Sequence, residues 1–177
     1  MIEPTNQETL EFLKESNKIE REYSKEALAD AVQAWTMACL ACKNDFSIEY
    51  FLGIHKRLMK RLNPCIAGKI RDCVVYIGGN KKVHLKEDIK LELEELVDSW
   101  NNNKKILMNK RKQDKENFIK RWHILFEYCH CFEDGNGRTR RILMNIQRIT
   151  LGLPLLIIHE GKEQVSYYEW FKEDKND

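Results

Sequence analysis

The residues best suited to chemistry lie in segment 130–141, which reads His-Cys-Phe-Glu-Asp-Gly-Asn-Gly-Arg-Thr-Arg-Arg. His130 can accept a proton near neutral pH. Asp134, four residues later, suits a Mg²⁺ ion that also binds phosphate oxygens, because Mg²⁺ usually takes only one or two carboxylates. Gly135 and Gly137 would let a ligand approach the backbone closely. The segment therefore predicts proton transfer beside a bound phosphate.

An amphipathic helix follows this segment, because apolar residues recur at helical spacing over 142–151. We expect the helix to begin near Asn136 and to direct its first free N–H groups at the preceding loop, an arrangement that attracts phosphate. The side-chain amide of Asn136 could donate as well. Arg138 lies near the first turn, where a structural helix would favour acidic residues, and Arg141 follows three residues later, so the two cations indicate an anion between them. The alternative is a glycine-rich cap with solvated arginines.

The same residues match His-x-Phe-x-(Asp/Glu)-Gly-Asn-Gly-Arg-x-x-Arg, the signature of the Fic (filamentation induced by cAMP) family, at every fixed position. Cys131 stands where the family often has proline. Residues 51–158 resemble the rest of a Fic domain in further positions, which are Ile54, His55, Leu58, Ala67, Gly68, Arg71, Val75 to Gly78, His123 and Gly152 to Pro154.

The resemblance implies a protein adenylyltransferase that uses ATP and Mg²⁺ and leaves AMP on its target. By this resemblance His130 deprotonates a Ser, Thr or Tyr hydroxyl of a target protein, which attacks the α-phosphorus. Asp134 holds Mg²⁺, and Phe132 packs beneath the loop. Modification of the chain by itself is also expected.

The phosphate contacts are implied by the same resemblance. The turn of Gly135, Asn136 and Gly137 would cradle the α- and β-phosphates, Arg138 would stabilise the departing pyrophosphate, and Arg141 would hold the γ-phosphate. Doc-type relatives, which act as kinases, carry lysine at the position of Gly137. The glycine here leaves room for a β-phosphate.

Ser16-Asn17-Lys18-Ile19-Glu20 resembles the inhibitory helix motif (Ser/Thr)-x-x-x-Glu-(Gly/Asn) of many Fic proteins, with Arg21 in place of Gly or Asn. Ser16 and Glu20 share a helix face, where the hydroxyl can orient the carboxylate. Glu20 would pair bidentately with Arg141 and occupy the donors that the γ-phosphate needs. The resemblance is to a short bacterial-type form with an N-terminal inhibitory helix. An ordinary helix cap is the alternative.

The fold class expected is mainly α: a Fic-fold helical bundle with one β-hairpin flap beside the active site. Apolar periodicity predicts helices over 8–43, with a break near 15–17, and over 46–62, 87–100 and 118–128, with a polar break at 101–105 and a last helix in the tail. His55 and His123 are predicted to be structural.

The hairpin is predicted from alternating residues on both sides of Gly78-Gly79-Asn80. The resemblance implies that a target segment docks on this flap as an added strand, a mode that fixes the acceptor's register through main-chain bonds. Arg71, Val75 and Ile77 are the predicted flap residues, within 71–84. A structural hairpin is the alternative.

Length and composition favour a single domain, 1–177, divided into N-terminal helices (1–45), a Fic core (46–158) and a C-terminal helix (159–177). The 30 basic and 28 acidic residues give a net charge of +2 without a basic face, which argues against nucleic-acid binding. The sequence lacks a long apolar run and a signal-like start, so we expect no membrane association and a cytoplasmic location. An oligomer stays open.

Six cysteines allow two interpretations. Cys39 with Cys42 and Cys129 with Cys131 could form a four-thiolate zinc site. The first pair, however, lies in an apolar helical run without a zinc-knuckle turn, so buried reduced thiols are favoured.

Three alternatives to adenylylation remain. The same fold can host removal of AMP, with Glu20 positioning water, or another Fic-type phosphotransfer. The chain could be a toxin paired with a small antitoxin, although an inhibitory helix within the chain would make that partner redundant. A non-catalytic binding module would not need His130 or Asp134.

Overall fold

The computed structural model describes residues 3–41, 44–77, 81–82 and 86–172. These residues form a mainly helical structure. The helices are α1 (Asn6–Ile19), α2 (Lys25–Ala41), α3 (Ile48–Met59), α4 (Lys86–Met108), α5 (Lys112–Cys129), α6 (Asn136–Thr150) and α7 (Lys162–Glu169), and the strands are β1 (Tyr76–Ile77) and β2 (Lys81–Lys82).

Helix α6 lies at the centre, because α1, α2, α3 and α5 all pack against it. Its residues from Arg138 to Thr150 are all buried, polar and apolar alike. A helix that is buried on every side is a core helix rather than an amphipathic surface one. An aromatic cluster packs nearby, made of Phe46, Phe51, Trp100, Trp122 and Phe126. The loop before α6 therefore leads into a buried core helix.

Helix α1 runs without a break, so the predicted interruption at 15–17 is wrong. Thr5 and Glu8 form a reciprocal capping box at its start. At its end the N–H of Arg21 bonds to the carbonyl of Lys18, and the N–H of Glu22 bonds to that of Asn17. This is a Schellman cap, in which the residue after the cap is left-handed. Ser16 is thus the fourth residue from the end of a capped helix.

The predicted polar break at 101–105 is also wrong, since α4 continues to Met108. Asn101 does not leave the helix: its side chain accepts from the N–H of Phe46 at 2.8 Å and donates to the carbonyl of Phe46 at 2.9 Å. Through these two bonds Asn101 connects α4 to the segment just before α3. The polar run marks an interhelical bond rather than a turn.

The strand pair is shorter than the predicted hairpin. β1 and β2 are antiparallel, with Tyr76 opposite Lys82 and Ile77 opposite Lys81. Residues 78–80 and 83–85 lie outside the described residues, and an extended hairpin flap is not seen in the part that is described. Two strands of two residues are marginal alone.

Two further observations bear on the chain as a whole. None of the described helices is long and apolar enough to cross a membrane. The cysteines Cys65, Cys73, Cys129 and Cys131 are free thiols, and the last two are buried. Cys42 lies outside the described residues.

Candidate active site

The loop between α5 and α6 carries His130 at the point where α5 ends. His130 has a left-handed backbone (φ 41°), and its N–H donates to the carbonyl of Phe126 at 3.2 Å. Its own carbonyl accepts from Nε of Arg71 at 2.6 Å. A non-glycine residue in this conformation is strained and persists only when its surroundings hold it. Both peptide groups of His130 are held by hydrogen bonds, so the backbone that carries its ring is fixed.

The ring of His130 is mostly buried, and its Nδ1 atom lies 3.7 Å from Oε1 of Glu127, one turn earlier on α5. Burial lowers the pKa of His130, the Arg71 and Arg140 charges lower it further, and Glu127 opposes the shift. The net lowering keeps the imidazole neutral at pH 7, which is the state that can accept a proton.

Phe132 and Asn136 hold the loop together. The N–H of Phe132 donates to Oδ1 of Asn136 at 2.9 Å, and Nδ2 of Asn136 donates to the carbonyl of Phe132 at 2.7 Å. The phenyl ring of Phe132 is fully buried, as the resemblance implied. The loop thus uses Oδ1 and one of the two Nδ2 hydrogens of Asn136, and donation by the other hydrogen to a ligand stays a prediction.

His55 supports the same loop from α3. Its ring stacks on Phe132 with centroids 3.8 Å apart, Nδ1 accepts from the N–H of Gly68 at 3.0 Å, and Nε2 lies 2.9 Å from the carbonyl of Asp134. Nε2 must therefore carry the proton. Burial is the main reason why the pKa of His55 falls to about 4. This histidine is a neutral structural clamp, as expected.

The start of α6 suits an anion. Its N-cap is Gly135, with φ 77°, so no side chain caps the first free N–H groups, and the first turn reads Asn-Gly-Arg-Thr. A Cβ at Gly135 would lie 2.8 Å from Sδ of Met59. A side chain here would thus be both strained and crowded. The backbone is left open to a phosphate by its own geometry.

Two guanidinium groups line this helix start. Arg138 is buried, with Nη2 3.4 Å from Sδ of Met59 and 3.8 Å from Oδ2 of Asp134. Among the described residues, Nε of Arg138 and Nη1 of Arg141 have no hydrogen-bond partner. Nη1 of Arg141 lies 3.1 Å from the point that a Cβ on Gly137 would occupy. Both atoms are donors that an anion at the helix start could use.

The end of α1 reaches Arg141 from the other side. Nε of Arg141 donates to Oγ of Ser16 at 2.9 Å, and Nη2 donates to the Ser16 carbonyl at 2.9 Å and to Oε1 of Glu20 at 2.6 Å. A Cβ on Gly137 would collide with Oε1 of Glu20. The carboxylate therefore occupies space directly above the glycine turn.

These contacts correct two details of the expectation. Glu20 binds Arg141 through one oxygen rather than bidentately, because Ser16 takes Nε and shares Nη2. Ser16 therefore holds Arg141 itself and does not orient Glu20. Burial disfavours the charge of Glu20, but Arg141, with Arg140 and Arg138, keeps the pKa of Glu20 below its ordinary value.

A protein-family model described as the Fic/DOC family matches residues 45–147, more than half of the chain. The chain belongs to the Fic/DOC family. It is 32% identical over 144 residues to the Protein adenylyltransferase Fic of Aedes aegypti, and 30% identical over 146 residues to the protein of the same name from Drosophila melanogaster. Each alignment covers 81% of this chain and 28% of the relative. The chain therefore spans less than a third of those curated relatives.

Solved structures agree on the fold. Fic-1 from C. elegans superposes with a TM-score of 0.76 at 21% identity, covering 98% of this chain and 57% of that one. A Fic domain containing signalling protein from Bacteroides thetaiotaomicron also gives 0.76, at 18% identity, covering 93% of this chain and 70% of that one. The expectation of a mainly helical Fic fold is thus confirmed.

Among the predicted flap residues of this Fic domain, Arg71 has a different role from the one expected. Arg71 is buried, and its side chain bonds to the carbonyls of His130 and Cys73 at 2.6 and 2.7 Å. Its backbone N–H also donates to the carbonyl of Cys131 at 3.0 Å. Arg71 is therefore a clamp on the active-site loop and not an exposed docking residue. Val75 is half-buried, and Ile77 lies in β1.

Sequence reasoning missed Glu127 and Arg140. Nε of Arg140 lies 2.8 Å from Oε2 of Glu127, and its Nη1 lies 2.6 Å from Nε2 of the fully buried His123. Tyr167 of α7 places its hydroxyl 2.8 Å from the same Nε2. The available signal was the helical spacing of Glu127 and His130, which puts residues three apart on one face.

Proposed function

We propose that this Fic domain transfers AMP from ATP to a hydroxyl side chain of a target protein. The observation that carries the proposal is the uncapped start of α6, where the unpaired Nη1 of Arg141 lies 3.1 Å from the Cβ position of Gly137, directly after the loop that carries a neutral His130. The names of the curated relatives support the same activity. Phosphoryl transfer of this kind depends mainly on positioning and on charge stabilisation.

In the proposed reaction His130 takes the proton from a Ser, Thr or Tyr hydroxyl. The hydroxyl oxygen forms a bond to the α-phosphorus while the bond from that phosphorus to the pyrophosphate oxygen breaks. Pyrophosphate leaves with its electron pair, and the proton stays on the imidazole until solvent removes it. Backbone N–H groups of Gly135, Asn136 and Gly137 contact the α- and β-phosphates, Arg138 stabilises the leaving group, and Arg141 holds the γ-phosphate.

Asp134 is the residue proposed to hold Mg²⁺. Its side chain is exposed at the mouth of the loop, and its Oδ1 atom is oriented by the N–H of Gly135 at 2.5 Å. No cluster of three or more potential ligands occurs among the described residues. One carboxylate fits an ion that takes its other ligands from phosphates and water. When bound, Mg²⁺ would neutralise charge on the phosphate oxygens.

Glu20 is proposed to inhibit this reaction. It takes Nη2 of Arg141 and fills the space above Gly137, the two places that the β- and γ-phosphates need. A carboxylate and a phosphate are both anions, so they compete for the same guanidinium. Release of α1 would free the site.

Docking of the target beside β1 is proposed on the family resemblance, with Val75 and Ile77 as the remaining flap residues. An added strand would find an edge there.

Self-modification and an oligomer are part of the same proposal, as is a single domain over 1–177 in its three parts. A reducing, cytoplasmic location is supported by the free thiols of Cys65, Cys73, Cys129 and Cys131.

Removal of AMP is the second candidate. Glu20 lies directly above the glycine turn, where a carboxylate could orient water toward an AMP phosphorus. An enzyme of this kind would turn over a modified target faster than it consumes ATP.

The test is intact-mass spectrometry after incubation with Mg²⁺ and ATP, with cell lysate as a source of targets. We expect an AMP adduct with Glu20→Gly that is absent from Glu20→Gly/His130→Ala and weak in the wild type. Equal rates for the wild type and Glu20→Gly would remove the inhibitory role but keep the enzyme. Absence of AMP transfer to the chain and to lysate proteins by every form would overturn adenylylation.

A further inference from the structure

Behind His130 lies a buried charged network that the family motif does not include. Glu127 has its two oxygens on different partners, with Oε1 3.7 Å from Nδ1 of His130 and Oε2 2.8 Å from Nε of Arg140. Both the Glu127 and the Arg140 side chains are largely buried, at 15% and 3% exposure. A buried carboxylate that lies between a cation and an imidazole changes the electrostatic environment of both groups.

Arg140 cannot turn away from this network, because its other contacts hold it. Its Nη1 atom lies 2.6 Å from Nε2 of His123, and its guanidinium lies 4.5 Å from the ring centre of Phe171 and 5.3 Å from that of Tyr167. The position of the Arg140 charge is therefore fixed from α5 and α7 together. Glu127 keeps its second oxygen free to face the histidine.

The buried nitrogen of His130 is Nδ1, and it makes no well-aligned hydrogen bond among the described residues. Burial lowers the pKa of the ring, whereas both the charge and a backbone group of Glu127 raise it. Nε2 is therefore the nitrogen left for a substrate proton. A base that accepts at Nε2 must carry its own hydrogen on Nδ1, and once protonated it becomes a cation in a poorly hydrated site. A carboxylate on the Nδ1 side meets both requirements, since it selects that tautomer and stabilises the imidazolium.

We propose that Glu127 is a positioning residue for His130, which holds the Nδ1–H tautomer and stabilises the protonated ring during transfer. The inference rests on the proposed function. In this step the proton moves only from the target hydroxyl to Nε2 of His130. The separation of 3.7 Å shortens to a hydrogen bond when substrate binds, as such contacts often do.

Three charged groups face the His130 ring. Glu127 comes from α5, Arg140 from α6, and Arg71 from the segment before β1. Glu127 favours the protonated ring, whereas the two arginines disfavour it. Removal of Glu127 and removal of Arg140 should therefore move the pKa of His130 in opposite directions. A general loosening of the fold would not produce opposite signs.

The experiment follows the ring of His130 by NMR in histidine-labelled protein. The chain has five histidines, and His130→Asn identifies the relevant signal by its loss. We expect Glu127→Gln to lower the pKa of His130 by about one unit and Arg140→Gln to raise it. Glu133→Gln, an exposed site on the same loop with the same change in charge, is the control and should shift the pKa far less.

The double variant Glu127→Gln/Arg140→Gln tests whether Glu127 acts directly on His130 or only balances the charge of Arg140. It also removes both members of the buried pair, so it guards against a fold that fails when only one charge remains. If Glu127 acts on His130, the double variant has a lower His130 pKa than Arg140→Gln alone. Identical titrations of these two proteins would overturn the proposal.

Rates of AMP transfer, measured on a Glu20→Gly background, give the second readout. We expect Glu127→Gln to slow transfer by about 10- to 100-fold, mainly in kcat, and the double variant to stay slow. Recovery of the double variant to the parent rate would show that Glu127 only balances Arg140 and would overturn the proposal. If no form transfers AMP, the proposed function fails, while the NMR titration still decides whether Glu127 controls His130.

Discussion

Two helix ends meet at Arg141, and they are built in opposite ways. α6 begins with an uncapped glycine turn and cationic side chains, so it lacks the negative charge that a helix start favours. α1 ends with a complete Schellman cap and brings Glu20 to that place. The start of α6 favours an anion, and the end of α1 supplies one, the Glu20 carboxylate of the same chain. In the proposed function, a phosphate of the substrate would therefore have to displace part of the protein.

We expect the largest effect from Arg141→Gln, because Arg141 interacts with both helix ends. On a Glu20→Gly background, we expect transfer of AMP to fall about 10²- to 10³-fold, because a preorganised donor is lost. In the otherwise wild-type chain, amides of 15–20 should exchange hydrogen faster. Arg148→Gln is the control, since Arg148 is also largely buried on α6 but pairs with Glu116 at 3.3 Å. Unchanged transfer in the Arg141 variant would contradict the phosphate role.

The second prediction concerns His55, which supports the loop before α6. His55 bonds to the loop from α3, and it is neutral in the fold with a pKa of about 4, against 6.5 when unperturbed. The unfolded chain therefore binds a proton at this residue first as pH falls. Stability from His55 is present above pH 6.5 and lost between 6.5 and about 4, by about 3 kcal/mol.

Denaturant unfolding of the wild type and of His55→Gln across this pH range measures the effect. The wild type should lose more free energy of unfolding than the variant as pH falls. His159→Gln is the control with opposite sign, because the exposed His159 pairs with Glu11 and Glu163 and its pKa is raised. Its contribution is present below pH 6.5 and lost as pH rises through the raised value. Parallel curves for the wild type and His55→Gln would exclude the clamp.

The third prediction separates charge from volume on the α1 side. Glu20 both pairs with Arg141 and fills the space above Gly137. Glu20→Gln removes only the charge, whereas Glu20→Gly removes the volume as well. We expect calorimetric affinity for ATP to rise about tenfold in the first and about a hundredfold in the second. Equal gains would show that volume contributes nothing.

The smallest effect is expected at Arg21, which has φ 57° where a Schellman cap favours glycine. An L residue in this conformation costs about 1 kcal/mol. Arg21→Gly should therefore tighten α1 on its site and slow transfer of AMP by about fivefold. Arg21→Ala keeps the Cβ and removes the guanidinium, so it should not tighten α1. Equal effects of the two variants would assign the change to charge instead.

The sequence predicted the parts of the site that are local. The helix start at Asn136 follows from a glycine turn before a periodic apolar run, and the spacing of Ser16 and Glu20 follows from one helix face. The family signature then brought Glu20 and Arg141 together, although they lie 121 positions apart. Motif resemblance can carry such a long-range contact, whereas periodicity cannot.

The errors arose where a side chain's partner comes from another element. Asn101 bonds to backbone groups that pattern analysis cannot place, and Arg71 reaches inward from a segment expected to face a target. Glu127 was overlooked because one glutamate among 28 acidic residues carries no signal until packing puts it beside His130. Local rules specify the backbone, and tertiary packing decides what polar side chains bind.

The seating of α1 on Arg141 has a consequence for the range of ATP concentration in which the proposed enzyme would work. Only the fraction of molecules with α1 displaced can bind ATP productively, so the apparent dissociation constant is the intrinsic one divided by that fraction. A fraction of about 1% would turn an intrinsic constant of about 10 µM into about 1 mM. Small changes in the fit of a fourteen-residue helix would thus set a threshold for response to the cell's ATP supply.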